Sequence, residues 1–296
     1  MNPRERGFAL LSSHLGASGR RPLTAPQLRV LAQRVAEMER QDPDRDLTAD
    51  DLTALGYGRE MAERIVSLLD DEDVLDHFLR RGRRAGCVPV TRVSPEYPLL
   101  LRKNLGLDSP GILWAKGDLS LLNTPAVALV GSRDLNPENR RFAEEAGRQA
   151  AIQGLTLVSG NARGADRTAQ EAALEAGGAV ISIVADELAK QPLRENVLYL
   201  SEDGFEELFS AVRALSRNRC IHGMVWRTFV AQTSDGMGGT WDGTVKNLRA
   251  GWSGVYCFDD GSNGMERLIN MGAMAVGLDD LQDFSALPEK EKSLFD

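Results

Sequence analysis

From residue 87 onward the chain alternates short apolar runs with stretches of helical period, and few architectures accommodate that rhythm. The runs are CVPVT (87–91), ILWA (112–115), AVALVG (126–131), LTLVS (155–159), AVISIVA (179–185), VLYL (197–200), VWRTFVA (225–231) and VYCF (255–258). Each is too short for a stable helix and rich in valine, isoleucine or leucine. Amphipathic stretches at 137–153, 165–177 and 205–219 lie between several of them. Strands apolar on both faces, separated by helices of this length, imply a mostly parallel sheet covered on both sides. The expected fold is therefore a doubly wound, Rossmann-like α/β domain.

The region ahead of it follows another rule. Residues 24–85 read as helices only: Thr24 and Pro26 form a cap and first-turn proline, and Leu28, Leu31, Val35 and Met38 fall at helical spacing. Thr48 with Asp51 resembles a capping box, and Gly56-Tyr57-Gly58 turns the chain between two small helices. Such a pair suits a SAM-like or helix-hairpin-helix module, and basic residues 80–84 close a further helix. The expected division is a helical module over 1–84, the Rossmann-like domain over 85–280 and a C-terminal tail over 281–296. A chain of 296 residues can bury such a core unaided. No run approaches the roughly 18 apolar residues of a membrane span, and the first residues lack a signal-peptide pattern. Three well-separated cysteines, Cys87, Cys220 and Cys257, fit a reducing cytoplasm.

The net charge of -8 disfavours general electrostatic coating of duplex DNA. The charge is uneven, however: residues 186–207 carry a net -5 and residues 211–250 a net +4. An acidic protein can still hold a polyanion in one focused basic pocket.

In a doubly wound sheet, ligands sit beyond the carboxyl ends of the strands. Three loops place informative residues there: Gly131-Ser132-Arg133 after AVALV, Ser159-Gly160-Asn161-Ala162-Arg163-Gly164-Ala165-Asp166 after LTLV, and residues 233–240, ending in Gly238-Gly239-Thr240. Glycines let a backbone approach a ligand, helix-start amides bind phosphate oxygens, and Arg133 and Arg163 add charge-assisted contacts. The chain lacks GxxxxGK[ST], a GxGxxG dinucleotide fingerprint, CxxC and GxSxG. His14, His77 and His222 are scattered. The sequence thus offers phosphate binding without a nucleophile, a general base, a metal cluster or an implied cofactor.

The order of these segments resembles the DNA processing protein A family (DprA, also called Smf). Gly131-Ser132-Arg133 matches its GSR motif, residues 159–166 resemble its SGxAxGxD loop, and Arg217-Asn218-Arg219 matches its RNR motif. VSPEYPLLLRKNLGLDSPGILWAKGDL (93–119) resembles the family's lead-in, and GMERLINMGA (264–273) its closing segment. The resemblance implies binding rather than catalysis: single-stranded DNA held on the Rossmann-like domain, dimerisation, and transfer of the strand to a RecA-type recombinase. It places Gly131, Ser132, Arg133, Ser159, Gly160, Asn161, Ala162, Arg163, Gly164, Asp166, Arg217, Asn218 and Arg219 at the phosphate pocket. Gly239 and Thr240 join them from the third loop, and Trp241 beside it is either an aromatic for base stacking or a residue packed under the sheet edge.

Several positions depart from the family pattern. Asn161 and Arg163 are unusual in the loop, Gln170 stands where a histidine is common, Asp259-Asp260-Gly261 follows VYCF, and DGMGGTWDGT occupies the third loop. The winged-helix segment that many members carry has no counterpart before Asp296. A second reading therefore stays open, that of a nucleotide sensor or a phosphoribohydrolase-like enzyme of the same fold group. Gly238-Gly239-Thr240 is similar to the PGGxGT loop of such hydrolases, with Asp242 near the position of their catalytic glutamate.

Overall fold

The computed structural model describes residues 1–17, 19–38 and 46–288. Part of the proposed C-terminal tail, 289–296, lies outside them.

Five helices precede the sheet: α1 (Pro3–Ser12), α2 (Ala25–Ala36), α3 (Ala49–Ala54), α4 (Arg59–Leu69) and α5 (Glu72–Arg84). Thr24 caps α2 with a proline in its first turn, and Thr48 and Asp51 close a capping box on α3. α1, which the sequence reading does not anticipate, starts from an Asn2–Glu5 capping box. These helices divide their burial. Leu31, Leu52, Ala62, Ile65 and Leu68 form a small core of their own, whereas Leu10 of α1 and Leu75, Phe78 and Leu79 of α5 join the main core. Phe78 packs against Trp114 and Phe205, with ring centroids 5.1 and 4.8 Å away, and so ties α5 to the sheet. Aromatic contacts of this kind add to the burial of apolar area.

The remaining elements are β1 (Val88–Thr91), α6 (Leu99–Leu105), β2 (Ile112–Gly117), β3 (Ala126–Val130), α7 (Pro137–Ile152), β4 (Thr156–Ser159), α8 (Ala165–Glu175) and β5 (Val180–Ile183). They continue with β6 (Val197–Ser201), α9 (Ala211–Ser216), α10 (Asn218–Gly223), β7 (Arg227–Val230), α11 (Gly239–Ala250), β8 (Gly254–Phe258), α12 (Asn263–Asn270) and β9 (Met274–Val276). The nine strands form one sheet in the order β1-β2-β6-β5-β4-β3-β7-β8-β9. From β6 to β9 every pairing is parallel; β2 runs antiparallel to β6, and β1 antiparallel to β2. This is the mostly parallel Rossmann-like α/β fold the alternation implies.

Two local expectations change. Residues 205–210 are not helical, and the expected helix over 205–219 is instead α9 and α10, which meet at Arg217. β9, three residues long, is too short to announce itself. Tyr97 of the lead-in is fully buried, its hydroxyl donating to the Pro110 carbonyl at 2.7 Å, so that Tyr-Pro step is a packing device. Cys87, Cys220 and Cys257 are buried free thiols. No described helix is long and apolar enough to cross a membrane.

Candidate phosphate-binding cleft

Chain order reverses between β3 and β7: β4 and β5 follow on one side of β3, and β8 and β9 follow on the other side of β7. Right-handed crossovers then place α7 and α8 on one face and α11 and α12 on the other, leaving a crevice at the carboxyl ends of β3 and β7. A cavity of about 510 Å³ occupies this position. Gly131, Ser132 and Arg133 line it from the end of β3, and Ala162 and Asp166 from the loop after β4. Arg217, Asn218 and His222 line it from the α9–α10 junction, and Gly238, Gly239, Thr240 and Asp242 from the start of α11.

The backbone here is packed too closely for larger residues. A Cβ on Gly131 would lie 2.5 Å from the Ala165 Cβ. Gly164, at φ +85°, brings its Cα so near the preceding loop that a Cβ would lie 2.5 Å from the Ser132 carbonyl oxygen. Ala165 N–H donates to that carbonyl at 3.1 Å, and the Thr240 hydroxyl donates to the Gly131 carbonyl at 2.9 Å. These two bonds fasten all three glycine-bearing loops together. The Thr240 hydroxyl is therefore a strut of the cleft.

Arg217 is the best-buried cation of the site, at 7% exposure. Its guanidinium lies where a Cβ on Gly160 would be, and it donates to the carbonyls of Gly160 and Ile183. Its other terminal nitrogen stands 4.0 Å from the Asp166 carboxylate, and its Nε has no hydrogen-bond partner among the described residues. Asp166 accepts from the Ala162 N–H at 3.1 Å. Burial pushes the Asp166 carboxyl up from its ordinary value and Arg217 down, each opposed by the other's charge. The loop after β4 thus spends its Ala162 amide on Asp166. Ser159 is buried below, and Asn161 turns the chain at φ +62°, a conformation few residues other than glycine adopt as readily as asparagine.

The other expected residues separate. Asn218 lines the cleft and donates to the Gly239 carbonyl at 2.9 Å, holding α10 to α11. Arg219 turns away from the cavity, pairing with Glu202 at 2.5 Å. Arg213 likewise pairs with Asp203 and Glu207 at 3.4 and 2.6 Å. Arginines of the basic window thus meet acids of the acidic one. Arg163 is exposed and pairs with Asp134 at 2.7 Å. Asn161 faces a different groove from Ala162.

What remains open lies at the mouth. Arg133 is exposed, has no carboxylate partner among the described residues, and stands 6.0 Å from the centre of the Phe209 ring. Phe209 is 57% exposed, with Met237 on the rim at 70%. The first turn of α11 has no side-chain cap from its cap residue, Gly238, which sits at φ +91°. Trp241 is only 7% exposed, beneath Arg267, whose guanidinium stands 5.1 Å from the ring centre and pairs with Asp235 at 2.8 Å. Phe209 and Arg267 are absent from the sequence expectations. Phe209 hides in an acidic stretch that reads as helix, and Arg267 belongs to a closing motif with no assigned chemistry. His222 forms part of the lining; burial lowers its pKa to about 4, so it is a neutral wall.

The family described as DNA recombination-mediator protein A matches residues 89–286. Among curated relatives, DNA processing protein DprA of Streptococcus pneumoniae is 33% identical over 196 residues, which are 60% of this chain and 68% of that protein. The X-ray structure of Streptococcus pneumoniae DprA superposes with a TM-score of 0.70 at 25% identity, covering 96% of this chain and 99% of that one. DNA processing protein A from Helicobacter pylori, whose structure concerns its single-stranded DNA binding mode, shares the fold. It superposes with a TM-score of 0.55 at 22% identity, over 66% of this chain and 94% of that one.

Proposed function

The chain belongs to the DNA recombination-mediator protein A family, and from that premise we propose that it is a DNA-processing protein that holds single-stranded DNA in the cleft between β3 and β7. The observation that carries this reading is the mouth: Arg133, without a carboxylate partner among the described residues, beside the exposed ring of Phe209. Strand binding without sequence preference combines cations that follow phosphates with aromatic faces on which bases stack. Arg133 and the uncapped first turn of α11 supply the former, and Phe209 the latter.

Arg217 and Asp166 act beneath the strand, fixing the loop after β4. Dimerisation and handover to a RecA-type recombinase, which the family resemblance implies, belong to the same proposal. Fluorescence anisotropy of labelled oligo-dT at two salt concentrations tests the binding step. Salt-sensitive binding, undisplaced by AMP or ADP-ribose and weakened by Arg133→Ala, is expected. Saturable binding of a mononucleotide with no affinity for the strand would overturn the proposal in favour of a nucleotide sensor or hydrolase, with Asp242 as its acid.

A further inference from the structure

The loop after β4 is a partition. Ala162 and Asp166 face the main cleft, while Asn161 and Arg167 line a second groove of about 220 Å³. The left-handed turn at Asn161 is what sends neighbouring residues to opposite sides. Arg167 reaches this groove from α8, Arg194 from the loop before β6, and Tyr199 forms its buried wall.

Both arginines are exposed, and neither has an ion-pair partner among the described residues. That contrasts with Arg213 and Arg219, which carboxylates satisfy. Burial raises the Tyr199 hydroxyl's pKa, while the charge of Arg194, a hydrogen bond from its side chain and the charge of Arg167 lower it. Glu171 is the one carboxylate in the lining and is exposed at its edge. The amides of Gln191 are already engaged: its Oε1 accepts from Asn161 at 3.3 Å, and its Nε2 donates to Asp186 at 3.1 Å. Two guanidinium groups lining one groove, neither held in an ion pair among the described residues, leave donors suited to phosphate oxygens.

We propose that the Arg167–Arg194 groove is a second phosphate subsite, which takes a phosphodiester of the same strand after it leaves the main cleft and crosses the ridge at Arg163. This rests on the strand-binding reading and extends it from a single cleft to a path across the loop after β4.

The test is an anisotropy titration of the full chain with oligo-dT of about 5 and about 20 nucleotides, across a salt series, for wild type and Arg167→Gln/Arg194→Gln. Both substitutions are at exposed positions, and thermal melting checks that the variant folds. The long strand should lose about tenfold in affinity in the variant, and the slope of log K against log salt should shrink by about 0.7, one single-strand phosphate. The short strand should be unaffected, Arg167→Lys/Arg194→Lys should restore the slope, and inorganic phosphate should compete only weakly. Equal curves for wild type and the glutamine variant on the long strand, with Arg133→Ala still impaired, would overturn the second subsite alone. Absence of oligo-dT binding by the wild type would overturn the strand-binding reading and the subsite with it.

Discussion

The loop after β4 and the mouth of the cleft lie on the same edge of the sheet, and both carry arginine. Beneath the loop, Arg217 of the α9–α10 junction is buried against the Gly160 and Ile183 carbonyls and faces Asp166, which in turn holds the Ala162 amide. At the mouth, Arg133 faces solvent and an aromatic ring, with no ion-pair partner among the described residues. One region has its charges met internally and sets geometry; the other leaves its charge open to solvent. The presence of an arginine in a motif therefore does not establish that its charge is available. Replacing each group should separate stability from binding.

The largest effect should come from Arg217→Met. It strips two carbonyls of their donor and leaves Asp166 buried without its cation, a change of about 3–5 kcal/mol by analogy with broken buried pairs. A urea midpoint should fall accordingly, and adding Asp166→Asn should recover part of the loss. An unchanged midpoint would mean that the pair does not hold the loop.

Next in size is the response to acid. His222 is buried among Thr228 and Asn247 with its pKa near 4, below the 6.5 of a free imidazole. Unfolding lets it take up a proton, so its contribution is complete above pH 6.5 and disappears as pH falls toward 4, at most about 3 kcal/mol. His222→Gln should flatten the dependence of melting temperature on pH in that window. An identical profile in the variant would assign the acid sensitivity elsewhere.

The mouth should behave in the opposite way. Phe209→Ala should weaken oligo-dT binding by about 1–3 kcal/mol, the usual worth of one stacked base. Arg133→Ala should weaken it about tenfold and reduce the salt slope by about 0.7. Because both side chains are exposed, stability should stay within about 0.5 kcal/mol. A variant that melts earlier but binds normally would reverse the contrast between the two regions.

The contrast also explains what could be read without coordinates. Strands such as 126–130 and 197–201 were legible because they are apolar on both faces, and the α2 and α3 starts because caps are local chemistry. The glycines of the cleft were legible as turn residues. That Arg217 turns inward and Arg219 toward Glu202 was not, because it depends on how the α9–α10 junction meets the carboxyl ends of β5 and β6, which is fixed by tertiary packing. Phe209 was hidden for a related reason: local periodicity reads 205–219 as one helix, and the unwinding of 205–210 exposes the ring. Trp241 shows the reverse case: of the two roles open to an aromatic beside a glycine loop, stacking or packing under the sheet edge, its burial favours packing.

The smallest effect concerns the residue between the two regimes. Arg163 looks in sequence like a clamp, but it pairs with Asp134 while both remain largely exposed, at 73% and 84% of the side chain. An exposed pair adds little to stability, yet it lowers the charge that Arg163 offers a strand. Arg163→Ala should therefore shift oligo-dT affinity less than Arg133→Ala does. Asp134→Ala should tighten binding and steepen the salt slope, by up to about 0.7 if the released guanidinium takes one phosphate. The double substitution should return to the affinity of Arg163→Ala alone, because Asp134 acts through the cation it holds. Should Asp134→Ala tighten binding equally in the absence of Arg163, the carboxylate would be repelling the strand directly, and the ridge would belong with the open mouth.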